Sequence, residues 1–261
     1  VVEPKPNKSL GQHWLTDESV LQAIVHAANV TAGTHVLEVG PGLGTLTKEL
    51  LDAGAIVTAV EFDPELAKQL PSRVQSENLT IVQQDILSFN LTSLSKEYVV
   101  VANIPYYLTS KLVRILCESS NPPQTAALLV QKEVAERIAA KPGGMSMLSV
   151  SAQVYNEVSL DIIVPAELFT PPPKVDSQVV VLKRRTSPYI PMNIEKDFFR
   201  MVKAGFSERR KKLRSSLSGG LQIEKEQADE LLKTAGISES ARAQELSLED
   251  WYKLTTVFLG K

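Results

Sequence analysis

Cysteine is nearly absent: Cys117 is the only one in 261 residues. A single thiol excludes an internal disulfide and points to a reducing compartment, most simply the cytoplasm. Apolar residues from Val113 to Leu116 flank it at helical spacing, so Cys117 reads as small core filler. Long apolar runs are missing as well. The longest, such as Val99 to Ala102 and Ala126 to Val130, are far too short to cross a bilayer, and no membrane role is expected. No basic-then-apolar leader is read at the start, and with Val1 in place of an initiator methionine a few missing residues are expected. Histidine is scarce, with three residues and no Cys or Glu cluster beside them, so no metal is expected. His26 and His35 read as structural or exposed. Low-complexity tracts and internal repeats are also lacking.

What is present is a body with 43% hydrophobic and 22% charged residues, the composition of an ordinary globular chain. The net charge of −2 hides a division. Residues 183–261 carry 16 Lys and Arg against 11 Asp and Glu, whereas residues 1–182 carry 12 against 19. An acidic body with a basic tail marks the tail as a candidate surface for a polyanion.

Apolar spacing predicts a helix over 17–28, opened by Thr16 or Asp17 as N-cap. Strands and helices then alternate. Strands are expected at His35–Val39, Ile56–Glu61, Thr80–Gln83, Tyr98–Ala102 and Ala126–Val130. Helices are expected at Thr45–Ala53, Pro64–Leu70, Leu108–Ser119 and Lys132–Ala140, with Pro64 suited to a first turn. Val158–Val164 and Ser177–Leu182 read as a closing antiparallel pair. Such repetition implies an α/β fold with a Rossmann-like, mostly parallel sheet covered by helices on both faces. Residues 194–261 show helical periodicity only, the pattern of a small all-helical domain of three to five helices. The expected division is therefore 1–183 and 184–261.

The residues suited to chemistry fall where expected strands end. Glu38-Val39-Gly40-Pro41-Gly42-Leu43-Gly44 joins the first of these strands to a helix, and its glycines let backbone amides approach a ligand closely. A dinucleotide fingerprint would need glycine at 45, where Thr stands, so the loop suits a nucleoside without a pyrophosphate. Glu61, 21 residues after Gly40, can accept both hydroxyls of a ribose. Asp85, followed by Ile86, can accept an adenine amine. Asn103-Ile104-Pro105-Tyr106 closes the fourth strand. The Asn103 side-chain carbonyl and the Ile104 backbone carbonyl can accept the two protons of an exocyclic amine, Pro105 stiffens the turn, and Tyr106 offers a ring for a flipped base.

Together with Leu10-Gly11-Gln12-His13 and Phe169-Thr170-Pro171-Pro172-Pro173-Lys174-Val175-Asp176-Ser177, these motifs resemble the KsgA family of ribosomal RNA adenine dimethyltransferases. The likeness runs in consistent order from about Lys8 to Leu217. It implies a class I methyltransferase domain, S-adenosylmethionine as co-substrate, and no metal. It further implies that Gln12, His13 and Leu15 close over the methionine end of the cofactor, with Glu38, Gly40, Gly42 and Gly44 forming its glycine loop. Glu61 becomes the ribose ligand and Asp85, with Ile86, the adenine ligand, while Asn103 serves cofactor and target base alike. Phe169 becomes the aromatic that stacks on the target adenine opposite Tyr106, held by the stiff run of three prolines after it. The family often has Asn-Phe where this chain has His13-Trp14.

Arg209, Arg210, Lys211, Lys212 and Arg214 put five basic residues in six positions, too many for Glu208 alone to pair with. On a helix they would cover more than one face, which suits phosphate contact, with recognition left to RNA shape. The resemblance implies dimethylation of two adjacent adenosines near the 3′ end of small-subunit rRNA, on an immature 30S-type particle, by a cytoplasmic monomer. Three other readings stand beside it. A large-subunit resistance methylase would be more basic than an isoelectric point near 6.0; a DNA adenine methylase fits the triple proline and basic tail poorly; a non-catalytic assembly or transcription factor would not need Gly40, Glu61, Asp85, Asn103 and Tyr106 intact.

Overall fold

The computed structural model describes residues 6, 11–208 and 210–260. Lys8 and Leu10 of the N-terminal motif and Arg209 of the basic run lie outside the described residues. In chain order the elements are β1 (Trp14–Leu15), α1 (Glu18–Ala27), β2 (His35–Val39), α2 (Thr45–Asp52), β3 (Ile56–Glu61), α3 (Pro64–Arg73), β4 (Leu79–Gln83) and β5 (Tyr98–Asn103). Then come α4 (Thr109–Glu118), β6 (Thr125–Gln131), α5 (Lys132–Ile138), α6 (Met147–Tyr155), β7 (Asn156–Val164), β8 (Phe169–Thr170) and β9 (Ser177–Arg184). The last four are α7 (Glu195–Gly205), α8 (Leu213–Leu221), α9 (Lys225–Thr234) and α10 (Leu248–Phe258).

Seven strands form one sheet in the order β4-β3-β2-β5-β6-β9-β7. β4, β3, β2, β5 and β6 run parallel, and β9 pairs antiparallel with β6. Their sequences explain their place. Val99–Ala102 and Ala126–Val130 are continuously apolar and buried, as strands covered on both faces must be. α1 begins where the Asp17 carboxylate accepts the Val20 N–H, and α3 where Asp63 accepts that of Glu65 with Pro64 in its first turn. α3 runs past the expected end at Leu70: Pro71 removes a single donor near the terminus, and Val74 N–H still closes on the Leu70 carbonyl. Because β3 lies on one side of β2 and β5 on the other, the connections part at this point and leave a crevice beyond the carboxyl ends of the strands.

Two compact units emerge: residues 1–136 with 157–184, and residues 137–156 with 185–261. A single boundary at 183/184 does not describe this division. α6, with Ser146 and Ser149 forming its capping box, groups with the C-terminal helices. No helix was expected over Met147–Tyr155, so α6 is an element that the apolar spacing did not reveal.

Candidate active site

An open cavity of about 1250 Å³, counting its mouth, lies at the carboxyl ends of β2 to β5. Gln12, His13, Leu15, Glu38, Gly40, Gly42, Glu61, Asp85, Ile86, Asn103, Ile104 and Tyr106 all line it. Parallel register brings the strand-end residues together, since the tips of adjacent strands are adjacent in space, while Gln12, His13 and Leu15 come from the segment before α1.

Two buried carboxylates set the electrostatics. Glu38 is 1% exposed, and among the described residues no group reaches either carboxylate oxygen with hydrogen-bond geometry. Burial pushes its carboxyl from 4.5 up to about 8; the nearby Thr47 hydroxyl pulls it back and the Glu61 charge adds to the push. Glu61 is 5% exposed, its Oε2 accepting the Gly42 N–H at 3.0 Å and its Oε1 the Asp63 N–H at 2.9 Å. Burial also raises Glu61, opposed first by these two amides. Each Glu61 oxygen keeps a lone pair for a further donor. Asp85 is exposed at the rim, where one oxygen caps the following turn through the Leu87 N–H at 2.9 Å.

The N-terminal segment is fastened across the glycine loop. Gln12 Nε2 donates to Asp63 at 3.4 Å, and Thr45 Oγ1 donates to the Leu15 carbonyl at 2.8 Å. Trp14 lies on Gly42 so closely that a Cβ there would meet its ring at 2.7 Å. His13 Nδ1 hydrogen-bonds the Pro171 carbonyl at 2.6 Å and therefore carries a proton. The His13 ring lies nearly parallel to Tyr106, with centroids 5.9 Å apart and an interplanar angle of 22°. Asn103 Nδ2 donates to the His13 carbonyl at 3.4 Å. Only the NH₂ end of the amide can face that acceptor, so Oδ1 remains available on a residue that lines the cavity. The Tyr106 hydroxyl is bonded to Ser177 Oγ at 3.0 Å, and burial raises its pKa. With its hydroxyl tied and His13 against its ring, Tyr106 is a fixed platform.

Residues 4–259 match the family described as ribosomal RNA adenine dimethylase. The chain belongs to that family. Among similar proteins, ribosomal RNA small subunit methyltransferase A of Dehalococcoides mccartyi is 40% identical, over 98% of this chain and 89% of the relative. The protein of the same name from Desulfitobacterium hafniense is 41% identical, over 96% and 91%. Among solved structures, a dimethyladenosine transferase from Plasmodium falciparum superposes with a TM-score of 0.80 at 25% identity, covering 95% of this chain and 98% of that one. The 23S rRNA methyltransferase ErmE gives 0.76 at 30% identity, covering 93% and 98%. The chain therefore has the class I methyltransferase fold expected from the alternation of strands and helices.

In this dimethylase-family chain two expected site residues stand elsewhere. Gly44 does not line the cavity; it is the left-handed N-cap of α2, and a Cβ there would meet Leu70 Cδ1 at 2.6 Å. Its left-handed backbone accounts for glycine there, with the Leu70 and Val74 side chains close by. Phe169 is 3% exposed, paired with Leu15 in the β1–β8 ladder, and belongs to the apolar core instead of the cavity wall. The basic run also departs from expectation: residues 210–212 form the turn before α8, not a helix face. Arg210, Lys211 and Lys212 are exposed, while Arg214 is half-buried and paired with Asp229 at 2.9 Å.

Several wall residues carried no sequence signal. Trp14, Phe62 and Tyr107 line the cavity, and the buried Trp14 Nε1 has no partner among the described residues.

S-adenosylmethionine fits this donor set. A cation is suited to a buried, unpartnered carboxylate at Glu38, and a ribose to the spare lone pairs of Glu61. Gly40 supplies the cradle: its φ is +69°, and a Cβ there would meet no protein atom within 4 Å. We expect Gly40→Ala to weaken S-adenosylmethionine binding by roughly tenfold, about 1.4 kcal/mol, because the methyl enters ligand space. Calorimetric titration checks this, alongside a melt of the free protein to register the separate strain of a left-handed alanine, about 1–2 kcal/mol.

Proposed function

We propose that this chain transfers methyl groups from S-adenosylmethionine to the 6-amino group of two adjacent adenosines in small-subunit ribosomal RNA, two per base. The observation that carries it is Asn103, which lines the cavity with its amide nitrogen bonded to the His13 carbonyl and its Oδ1 left available to accept.

An adenine amine is a poor nucleophile because its lone pair is delocalised into the ring. Asn103 Oδ1 and the Ile104 carbonyl accept its two protons and draw the nitrogen toward tetrahedral geometry, which localises the lone pair on it. Tyr106, fixed by Ser177 and His13, supports the flipped base. Bound S-adenosylmethionine supplies an electrophilic methyl on a sulfonium. Glu38 and Glu61 hold its amine and ribose ends, Asp85 and Ile86 its base, and Gln12, His13 and Leu15 cover it. Each transfer leaves an acidic ammonium that gives up one proton to water, so the site needs orientation more than a strong base.

Arg210, Lys211 and Lys212 contribute sequence-neutral phosphate contacts. The substrate on this reading is an immature small subunit, met in the cytoplasm by a monomer. Small-subunit specificity is supported by the likeness to small subunit methyltransferases A at 40% and 41% identity. Labelled S-adenosylmethionine offered with immature small subunits, large-subunit RNA or duplex DNA tests it. Label in two neighbouring N6,N6-dimethyladenosines of the first substrate is expected; label confined to either of the others overturns the reading.

A further inference from the structure

Two aromatic rings of the first unit stand largely in water, Phe62 at 55% and Tyr107 at 64% exposure, and both line the same cavity. Leaving a ring of this size uncovered forgoes apolar burial that a folded chain usually takes. That both lie on one cavity points to its occupants as the missing cover. Phe62 follows Glu61 and so stands at the cofactor's end. Tyr107 follows Tyr106, at the end where the base enters.

Tyr107 is not a loose side chain. The backbone that carries it is a 3₁₀ turn over Tyr106–Leu108, pinned by the buried Leu108 and by the Leu108 N–H on the Pro105 carbonyl at 2.9 Å. Gly11 lies beside one edge of the ring, near enough that a Cβ added there would stand 3.8 Å from Tyr107 Cε1 and 3.9 Å from Cδ1. A supported, exposed ring one residue from the target platform is an apt surface for a second base.

We propose that Tyr107 stacks the adenosine adjacent to the one being methylated, holding the pair in register while one member is flipped onto Tyr106. This rests on the function proposed above. Removing a base–aromatic stack costs enough to change binding by about tenfold, and the stack needs a flat ring but no hydroxyl.

The full-length protein is assayed on immature small subunits carrying either the natural adenosine pair or a uridine, a weaker stacker, beside the target. Tyr107→Ala is expected to raise KM for natural subunits about tenfold while leaving S-adenosylmethionine affinity unchanged, and Tyr107→Phe and Tyr107→Trp to stay near wild type. On uridine-bearing subunits wild type should fall toward the variant, and Tyr107→Ala should fall no further. Equal losses on both substrates, or a loss that appears in S-adenosylmethionine affinity instead, would overturn the role. Equilibrium binding of the same subunits with S-adenosylhomocysteine in place of the donor reads the same factor without turnover. Absence of methyl transfer by wild type would therefore count against the proposed function, while the binding cycle still decides on Tyr107.

Discussion

Asn103→Ala is expected to lower kcat by about 10²–10³-fold, the loss seen when one preorganised hydrogen-bonding group is removed from a transition state, while S-adenosylmethionine binding stays within a few-fold of wild type. The amine needs its protons accepted only as the lone pair localises, so the contact strengthens on the way to transfer and is weak before it. Asn103→Asp separates geometry from charge. A carboxylate would still accept from the amine but could not donate to the His13 carbonyl, which here fixes the orientation of the side chain. It should recover only part of the lost rate. Single-turnover transfer to immature small subunits measures both variants, and an Asn103→Ala rate within threefold of wild type would remove Asn103 from the mechanism.

The sheet was legible because buried parallel strands have little choice of composition. Val99–Ala102 and Ala126–Val130 can satisfy neither a half-exposed strand nor an amphipathic helix. The carboxylates and Asn103 were legible for a related reason, since every parallel strand ends on the same side and its terminal polar residues must converge. What escaped was whatever depends on direction instead of period. Gly40 and Gly44 look alike in sequence, yet one borders the open cavity and the other packs on Leu70. β1 and β8 are two residues each, too short to carry a period, so the burial of Phe169 against Leu15 could not be read. The basic run was read as helix because charge density says nothing of backbone conformation. Tyr107 gave no signal at all, because an aromatic beside a motif reads as core until its exposure is known.

Glu38 is expected to make S-adenosylmethionine binding depend on pH. With its carboxyl raised to about 8, the free protein holds a proton there at neutral pH. A cationic ligand lodging nearby favours the carboxylate, so binding releases that proton. S-adenosylmethionine affinity is therefore expected to rise with pH, by up to about tenfold per unit where one proton is released, and to level off above about pH 8. Stability of the free protein runs the opposite way. The unfolded chain loses this proton near 4.5 and the folded chain near 8, so between those values the folded state binds more protons and stability falls as pH rises. Glu38→Gln, neutral at every pH, should flatten both dependences. Titrations between pH 6 and 9 with each form provide the check, wild type minus variant cancelling the ligand's own ionisation. An affinity profile that keeps its slope in the variant would assign the proton to another group, Glu61 first, since burial raises it too.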